Sequence, residues 1–180
     1  MPTKAELAFF EVVLTQQRRL EVAFRIKKLD DEEARILAAE WVRALRGWSG
    51  DELVAAVDAW IDSNAEFPPR VGQILRLASD RALGAPALDE VLRRIEFARE
   101  RRIDPEELLD DCSAARVALA AAGDGLRFGS EPGIFVAARK VFAEVFERSL
   151  EHERAELVGR RRSAALIPAA STPRALATRS

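Results

Sequence analysis

Apolar side chains recur along most of the chain at intervals of three and four residues, the spacing that places them on one face of an α-helix. A clear stripe of this kind runs through 34–48 and another through 53–61. No stretch of useful length alternates apolar and polar residues in the manner of a half-buried strand. The pattern therefore predicts an all-α protein, a small bundle of about seven helices.

N-capping residues mark several of the predicted helix starts. Asp30 precedes Glu33 by three positions, and Ser49 precedes Glu52 in the same way, which is the spacing of a capping box. Asp104 stands before a proline and two acids, a combination that is typical of a first helical turn. It predicts that the sixth helix starts there.

The breaks between helices suggest three regions. A first helix over 3–28 opens an N-terminal helical domain of residues 1–84, which Gly84 closes. A C-terminal helical region, 85–162, ends in a long amphipathic helix. Residues 163–180 contain no acidic side chain and consist largely of Ala, Ser, Thr and Pro, so we expect a disordered tail.

Composition narrows the chemistry that the chain can perform. The 180 residues carry 28 Lys and Arg against 30 Asp and Glu, a net charge of −2, which argues against a wholly basic coat protein for nucleic acid. One Cys, one His and no Tyr are too few for a disulfide framework or a zinc site. Cys112 and His152 form the one nucleophile–base pair that remains. A buried structural role for Cys112 is the simpler interpretation. No Gly-Lys-Ser/Thr phosphate loop occurs, so we predict no cofactor, no metal and no enzymatic activity.

The sequence also bears on the cellular location of the protein. No apolar run reaches the about 18 residues that a transmembrane helix needs. At the N-terminus an acid, Glu6, comes before the first apolar stretch, whereas a secretory signal places positive charge there. We therefore predict a cytoplasmic protein without membrane contact.

The third predicted helix has a strongly acidic outer face. From 47 to 69 the chain contains no Lys or Arg. Such a helix is too negative to lie in a groove lined by DNA phosphates. The acids that we expect to bind a basic protein partner are Asp51, Asp58, Asp62 and Glu66. The alternative is a face that only keeps the helix hydrated.

A distinctive tripeptide, Phe67-Pro68-Pro69, follows this helix. Proline is favoured at the first position of a helix, so we expect Pro69 to open the fourth helix. An apolar residue just before a helix often packs back onto the helix as a hydrophobic staple. We expect Phe67 to be buried in this way.

Basic side chains cluster on the first helix, on the fifth helix and at the end of the last helix. The last cluster, Arg160, Arg161 and Arg162, leads into the acid-free tail and is the candidate nucleic-acid-binding site. The alternative for the first two clusters is a solvated face. For the arginine run it is a favourable interaction with the helix C-terminus.

The segment 29–78 resembles the small all-helical N-terminal domain of a family of phage-encoded loaders and inhibitors of the replicative helicase. The matching motifs are WVRAL at 41–45, LVAAV at 53–57, WI at 60–61 and FPPRVGQI at 67–74. The family has the same layout of a Trp-x-x-x-Leu helix, an amphipathic helix and a Phe-Pro-Pro turn into a short helix. The stretch 115–156 is also similar to a C-terminal segment of larger phage replication proteins.

The resemblance implies a non-enzymatic adaptor for phage or prophage DNA replication, in a bacterium or a phage-infected host. It would bind the hexameric replicative helicase and load or inhibit it, with a replication initiator protein as a further partner. Two other hypotheses follow from the residues alone. One is a protein that contacts DNA or RNA by itself through Arg160–Arg162 and the fifth helix. The other is a helical module that forms a homo-oligomer through the apolar stripe from Ile134 to Leu150.

Overall fold

Helices dominate the computed structural model, which describes residues 3–127 and 132–166. The helices are α1 Lys4–Ala23, α2 Asp31–Ala44, α3 Gly50–Asp62, α4 Val71–Leu83, α5 Leu88–Arg101, α6 Ser113–Ala122, α7 Asp124–Arg127 and α8 Pro132–Ala164, with a 3-10 helix at Pro105–Leu108. In these two ranges no strand occurs, and seven of the α-helices have ten or more residues. The predicted all-α class and the predicted number of helices are confirmed.

Both predicted capping boxes form. The Asp30 carboxylate accepts a hydrogen bond from the Glu33 backbone N–H at 2.8 Å, and the Glu33 carboxylate accepts from Asp30 N–H at 3.1 Å. The Ser49 hydroxyl accepts from Glu52 N–H at 3.3 Å, with the reciprocal bond at 2.9 Å. Each pair satisfies backbone donors that have no partner inside the helix, and this fixes the starts of α2 and α3.

The predicted end of the first helix and the predicted start of the sixth helix are wrong. The first helix ends at Ala23 rather than at residue 28, because Arg25 adopts a left-handed φ of 50° and Ile26 N–H turns back to the Glu21 carbonyl. Asp104 caps the short 3-10 helix, and α6 begins only after it, at Ser113. The acids and the proline there mark a single turn, which the sequence pattern does not distinguish from the first turn of a longer helix.

The last helix is longer than predicted. It continues to Ala164, which places Ser163 and Ala164 in the helix rather than in the predicted disordered tail. Ala165 N–H still donates to the Arg161 carbonyl at 3.0 Å, as expected for a stretch with high helix propensity. Residues 167–180 of the predicted tail lie outside the described residues.

The helices enclose two hydrophobic cores. The N-terminal core joins α1 to α4, and its buried residues are Val13, Leu20, Ala38, Trp41, Leu45, Trp48, Leu53, Ala56, Val57, Ile74 and Ala78. The C-terminal core joins α5 to α8 and includes Leu92, Ile95, Leu109 and Leu119. At its centre, the rings of Phe142 and Phe146 stack with their centroids 6.0 Å apart.

One helix, α8, belongs to both cores. Its first half packs against α6 in the C-terminal core, and farther along Leu157 and Val158 pack against the N-terminal core. Gly84 ends α4 in a left-handed conformation (φ 62°, ψ 27°). A division of the chain at this glycine therefore separates α1–α4 from α5–α7, but it does not separate α1–α4 from α8.

Much of the apolar stripe of α8, the candidate oligomer interface, packs inside the chain. Ala138, Phe142, Phe146 and Leu150 are buried in the C-terminal core. Ile134 keeps 49% and Val141 keeps 41% of its surface exposed, so only part of the stripe faces solvent.

Candidate partner-binding surface

The four acids predicted to bind a partner lie in different surroundings. Asp58 is half-buried, and its carboxylate pairs with Arg19 Nη2 at 2.7 Å, so it is engaged within the chain. Asp51 is exposed in the first turn of α3, where negative charge is favourable to the helix dipole. Asp62 and Glu66 are exposed at the opposite end of α3.

Asp62 occupies an unfavourable position for an acid. It is the last residue of α3, so its charge lies at the negative end of the helix dipole. An acid there costs the helix roughly 0.3–1 kcal/mol, the reverse of the effect in a first turn. Helix stability therefore accounts for Asp51 but does not account for Asp62.

Phe67 is exposed over 72% of its surface, and the prediction that it packs as a hydrophobic staple is wrong. The reason lies in where α4 begins. Arg70 is the N-cap, so the staple position just before the cap belongs to Pro69, which is buried. Pro69 thus precedes the helix instead of opening it, and Phe67 lies two positions farther out.

The backbone at Phe67 is nevertheless held in place. Trp60 Nε1 donates a hydrogen bond to the Phe67 carbonyl at 3.1 Å, which ties the turn to the end of α3. The Ser63 hydroxyl donates to the Trp60 carbonyl at 2.7 Å in the same turn. An aromatic ring projecting from a fixed backbone loses little conformational entropy when a partner covers it.

We call Asp62, Glu66 and Phe67 together the α3–α4 corner. The corner combines one exposed aromatic ring with two exposed carboxylates. An aromatic side chain is a common anchor at the centre of protein interfaces, and surrounding charges guide the encounter. The corner therefore suits a partner surface that has an apolar pocket with basic groups at its edge.

The three arginines predicted to bind nucleic acid do not share one environment. Arg161 lies with its guanidinium 4.0 Å from the centre of the Trp48 ring and pairs with Glu52 at 2.7 Å. Arg162 Nη2 donates to the Ala44 carbonyl at 3.0 Å. Arg160 is exposed. Of these three arginines, Arg161 therefore holds α8 against the N-terminal core.

Glu52 pairs with Arg161 and also caps the start of α3. Its carboxylate accepts from Ser49 N–H at 2.9 Å, from the Ser49 hydroxyl at 3.0 Å and from Arg161 Nη1 at 2.9 Å. Burial by itself raises the pKa of Glu52, but the Arg161 guanidinium and the Ser49 hydrogen bonds outweigh it, so the pKa lies below its usual range. One carboxylate thus links the start of α3 to the end of α8.

This arrangement predicts a pH-dependent contribution of Glu52 to stability. The pKa of Glu52 is lower in the folded protein than in the unfolded chain. Its contribution to the free energy of unfolding is therefore fully present above the unfolded pKa of about 4.3 and is lost as the pH falls through the lower folded pKa. We expect Glu52→Gln to lower the free energy of unfolding by about 1 kcal/mol at neutral pH, since the Glu52–Arg161 pair is partly exposed. The cost should shrink below about pH 4.

Thermal unfolding of the parent protein and of Glu52→Gln, from neutral to acidic pH, measures this difference in stability. Glu144→Gln is the matched control, because Glu144 is exposed on α8 and makes no ion pair with any of the described residues. A Glu52→Gln penalty that stays constant down to pH values of about 3 would contradict the role assigned to the ionised carboxylate.

Cys112 and His152 are placed differently in the fold. Cys112 is buried in the C-terminal core, and burial raises the pKa of its thiol, which disfavours the reactive thiolate. His152 is exposed on α8, with Nε2 3.4 Å from Glu156. The thiol thus has the surroundings of a structural core residue.

Comparisons of this chain with protein-family models, with curated proteins and with solved structures found no match. The family resemblance of residues 29–78 therefore stays a prediction. Among the helices that the structure describes, none has both the length and the hydrophobicity needed to cross a membrane.

Proposed function

We propose that this protein is a non-enzymatic adaptor of phage or prophage DNA replication that binds the hexameric replicative helicase and loads or inhibits it. A replication initiator protein would be its second partner. The single observation that carries the proposal is the exposed Phe67 ring, which projects from a tied turn that follows two exposed acids.

The surface and the resemblance point to the same part of the chain. The resembling segment, 29–78, covers α2, α3 and most of α4 and includes the whole α3–α4 corner. The Phe67 ring makes no aromatic or cation–π contact with any of the described residues, and Asp62 lies where its charge weakens its own helix. Features that cost a domain stability are often retained for binding.

The corner also indicates the chemistry of the contact. The Phe67 ring would enter an apolar pocket on the helicase, and Asp62 and Glu66 would face basic groups at its edge. Asp58 and Asp51 would contribute less, since one is paired within the chain and the other stabilises α3.

The test is binding to the cognate helicase, measured by size-exclusion chromatography with light scattering and by titration. We expect a stable complex with the full chain. Phe67→Ala and the double variant Asp62→Lys/Glu66→Lys should each weaken it about tenfold or more. Because these side chains are exposed, the thermal midpoint of the variants should stay close to that of the parent protein.

Two variants outside the corner serve as controls. Phe97→Ala removes another exposed ring, on α5, and Glu144→Lys reverses an exposed charge on α8. Both should bind the helicase as the parent protein does. Absence of any complex at tens of micromolar would refute the adaptor role. A complex that the controls weaken as much as the corner variants do would refute only the assignment of the corner.

A further inference from the structure

The exposed side of α2 carries a strip of arginines. The buried side chains of this helix, Ala34, Ala38 and Trp41, face the N-terminal core. Arg35, Arg43 and Arg46 are all exposed on the helix and just beyond its end. Arg35 and Arg43 lie about a quarter of a turn apart around α2 and about 12 Å apart along its axis, and Arg46 follows in the turn after the C-cap. Within the described residues none of the three makes a side-chain hydrogen bond or an ion pair.

The end of α8 adds a fourth arginine to this strip. Arg162 Nη2 donates to the Ala44 carbonyl at 3.0 Å, which places the side chain at the C-terminal end of α2. Arg43, Arg46 and Arg162 then line one groove of about 540 Å³ together with Leu166. Residues far apart in sequence are thus brought together by the docking of α8.

A second groove lies on the other side of the strip. It has a volume of about 580 Å³, and Arg43 and Arg46 line it too. Apolar side chains, among them Phe9 and Val42, also line this groove. The strip therefore offers both guanidinium groups and an adjacent apolar surface.

Three arginines and two acids line these grooves, so positive charge is in excess by one. The acids that line them are Glu6 and Glu40. The Glu6 carboxylate accepts from Thr3 N–H at 2.7 Å in the capping box of α1 and keeps its negative charge, which also attracts Arg46. Arginine is the side chain best suited to phosphate, since its planar guanidinium can donate two parallel hydrogen bonds.

We propose that the α2 arginine strip, which consists of Arg35, Arg43, Arg46 and Arg162, binds the phosphate backbone of single-stranded DNA. Its length admits several consecutive phosphates, and the apolar groove beside it can accommodate unpaired bases. A purely acidic polypeptide such as polyglutamate would pair with the arginines but has no flat apolar ring to place in this groove. The proposal goes beyond helicase binding, which we assign to the α3–α4 corner.

The test is fluorescence anisotropy with a labelled oligothymidylate of about 30 nucleotides and the full chain. We expect binding at about 50 mM salt that weakens steeply by about 200 mM. Arg43→Gln/Arg46→Gln should weaken binding about tenfold or more and reduce the slope of log affinity against log salt by about 1.4, which is about 0.7 for each lost phosphate contact. The change in slope separates lost phosphate contacts from a general loss of structure.

The matched control is Arg116→Gln/Arg148→Gln, which removes two exposed arginines from α6 and α8. It should leave both the affinity and the slope unchanged. The proposal is overturned by absence of binding at low salt, or by an equal loss in the control. Tighter binding of a duplex of the same length, or equally effective displacement of the DNA by polyglutamate, would also overturn it. A thermal midpoint close to that of the parent protein verifies that the double variant is folded.

Discussion

Replacing Phe142 with alanine should lower the free energy of unfolding by about 3–5 kcal/mol, the usual cost of removing a fully buried aromatic ring. Phe142 is 0% exposed, and its ring stacks on that of Phe146 between α6 and α8. Alanine would leave a cavity at the centre of the C-terminal core. Denaturant unfolding followed by far-ultraviolet circular dichroism measures the loss, because this signal reports on the helices of both cores.

Tryptophan fluorescence tells whether the two cores unfold together. All three tryptophans of the chain, Trp41, Trp48 and Trp60, belong to the N-terminal core or pack against it. Since α8 packs against both cores, we expect fluorescence and dichroism to shift together in the Phe142→Ala variant. Fluorescence that stays at the parent midpoint would show that the cores unfold independently. Phe67→Ala, at an exposed ring, should change stability by less than about 0.5 kcal/mol.

Replacing Gly47 with alanine should detach the end of α8 from the turn between α2 and α3. Gly47 has a φ of +89°, which side chains rarely adopt, and an added Cβ would lie 2.6 Å from the Arg161 carbonyl oxygen. Backbone strain of this kind costs about 1–3 kcal/mol, and the clash adds to it. The expected result is a lower thermal midpoint together with a change in Trp48 emission, since the Arg161 guanidinium would leave the Trp48 ring.

A second glycine provides the control for this variant. Gly159 lies within α8, and an added Cβ there would meet nothing within 4 Å. Gly159→Ala should therefore stabilise the protein by about 0.5–1 kcal/mol, because alanine is the better helix former. If Gly47→Ala matched Gly159→Ala in stability and in emission, the close approach of α8 to Gly47 would not exist in solution.

Local signals predicted those parts of the fold that depend on neighbouring residues. Asp30 with Glu33 and Ser49 with Glu52 fix helix starts through bonds that span three residues, so their spacing is visible in the sequence. The end of α1 was not predictable in this way. It depends on the left-handed Arg25, in a stretch that contains no glycine or proline to mark it.

The candidate sites were only partly predictable for the same reason, because they depend on contacts between distant parts of the chain. The absence of Lys and Arg from 47 to 69 identifies the acids of α3, but the pairing of Asp58 with Arg19 joins two helices and has no counterpart in the local pattern. Phe67 was assigned to the interior because its neighbours are prolines, and only the position of the Arg70 cap places it outside. The convergence of Arg43 and Arg162 depends on the docking of α8 across the length of the chain.

The place of α8 in both cores has a consequence for protein synthesis. Because α8 is the last helix described, the ribosome must translate most of the chain before either core can close. At about 5–20 residues per second, the stretch between the end of α4 and Val158 takes about 4–15 s to translate. During that time α1–α4 present to solvent the apolar surface that Leu157 and Val158 later cover. Ribosome-bound chains are thus exposed to chaperones and to premature association until α8 has emerged.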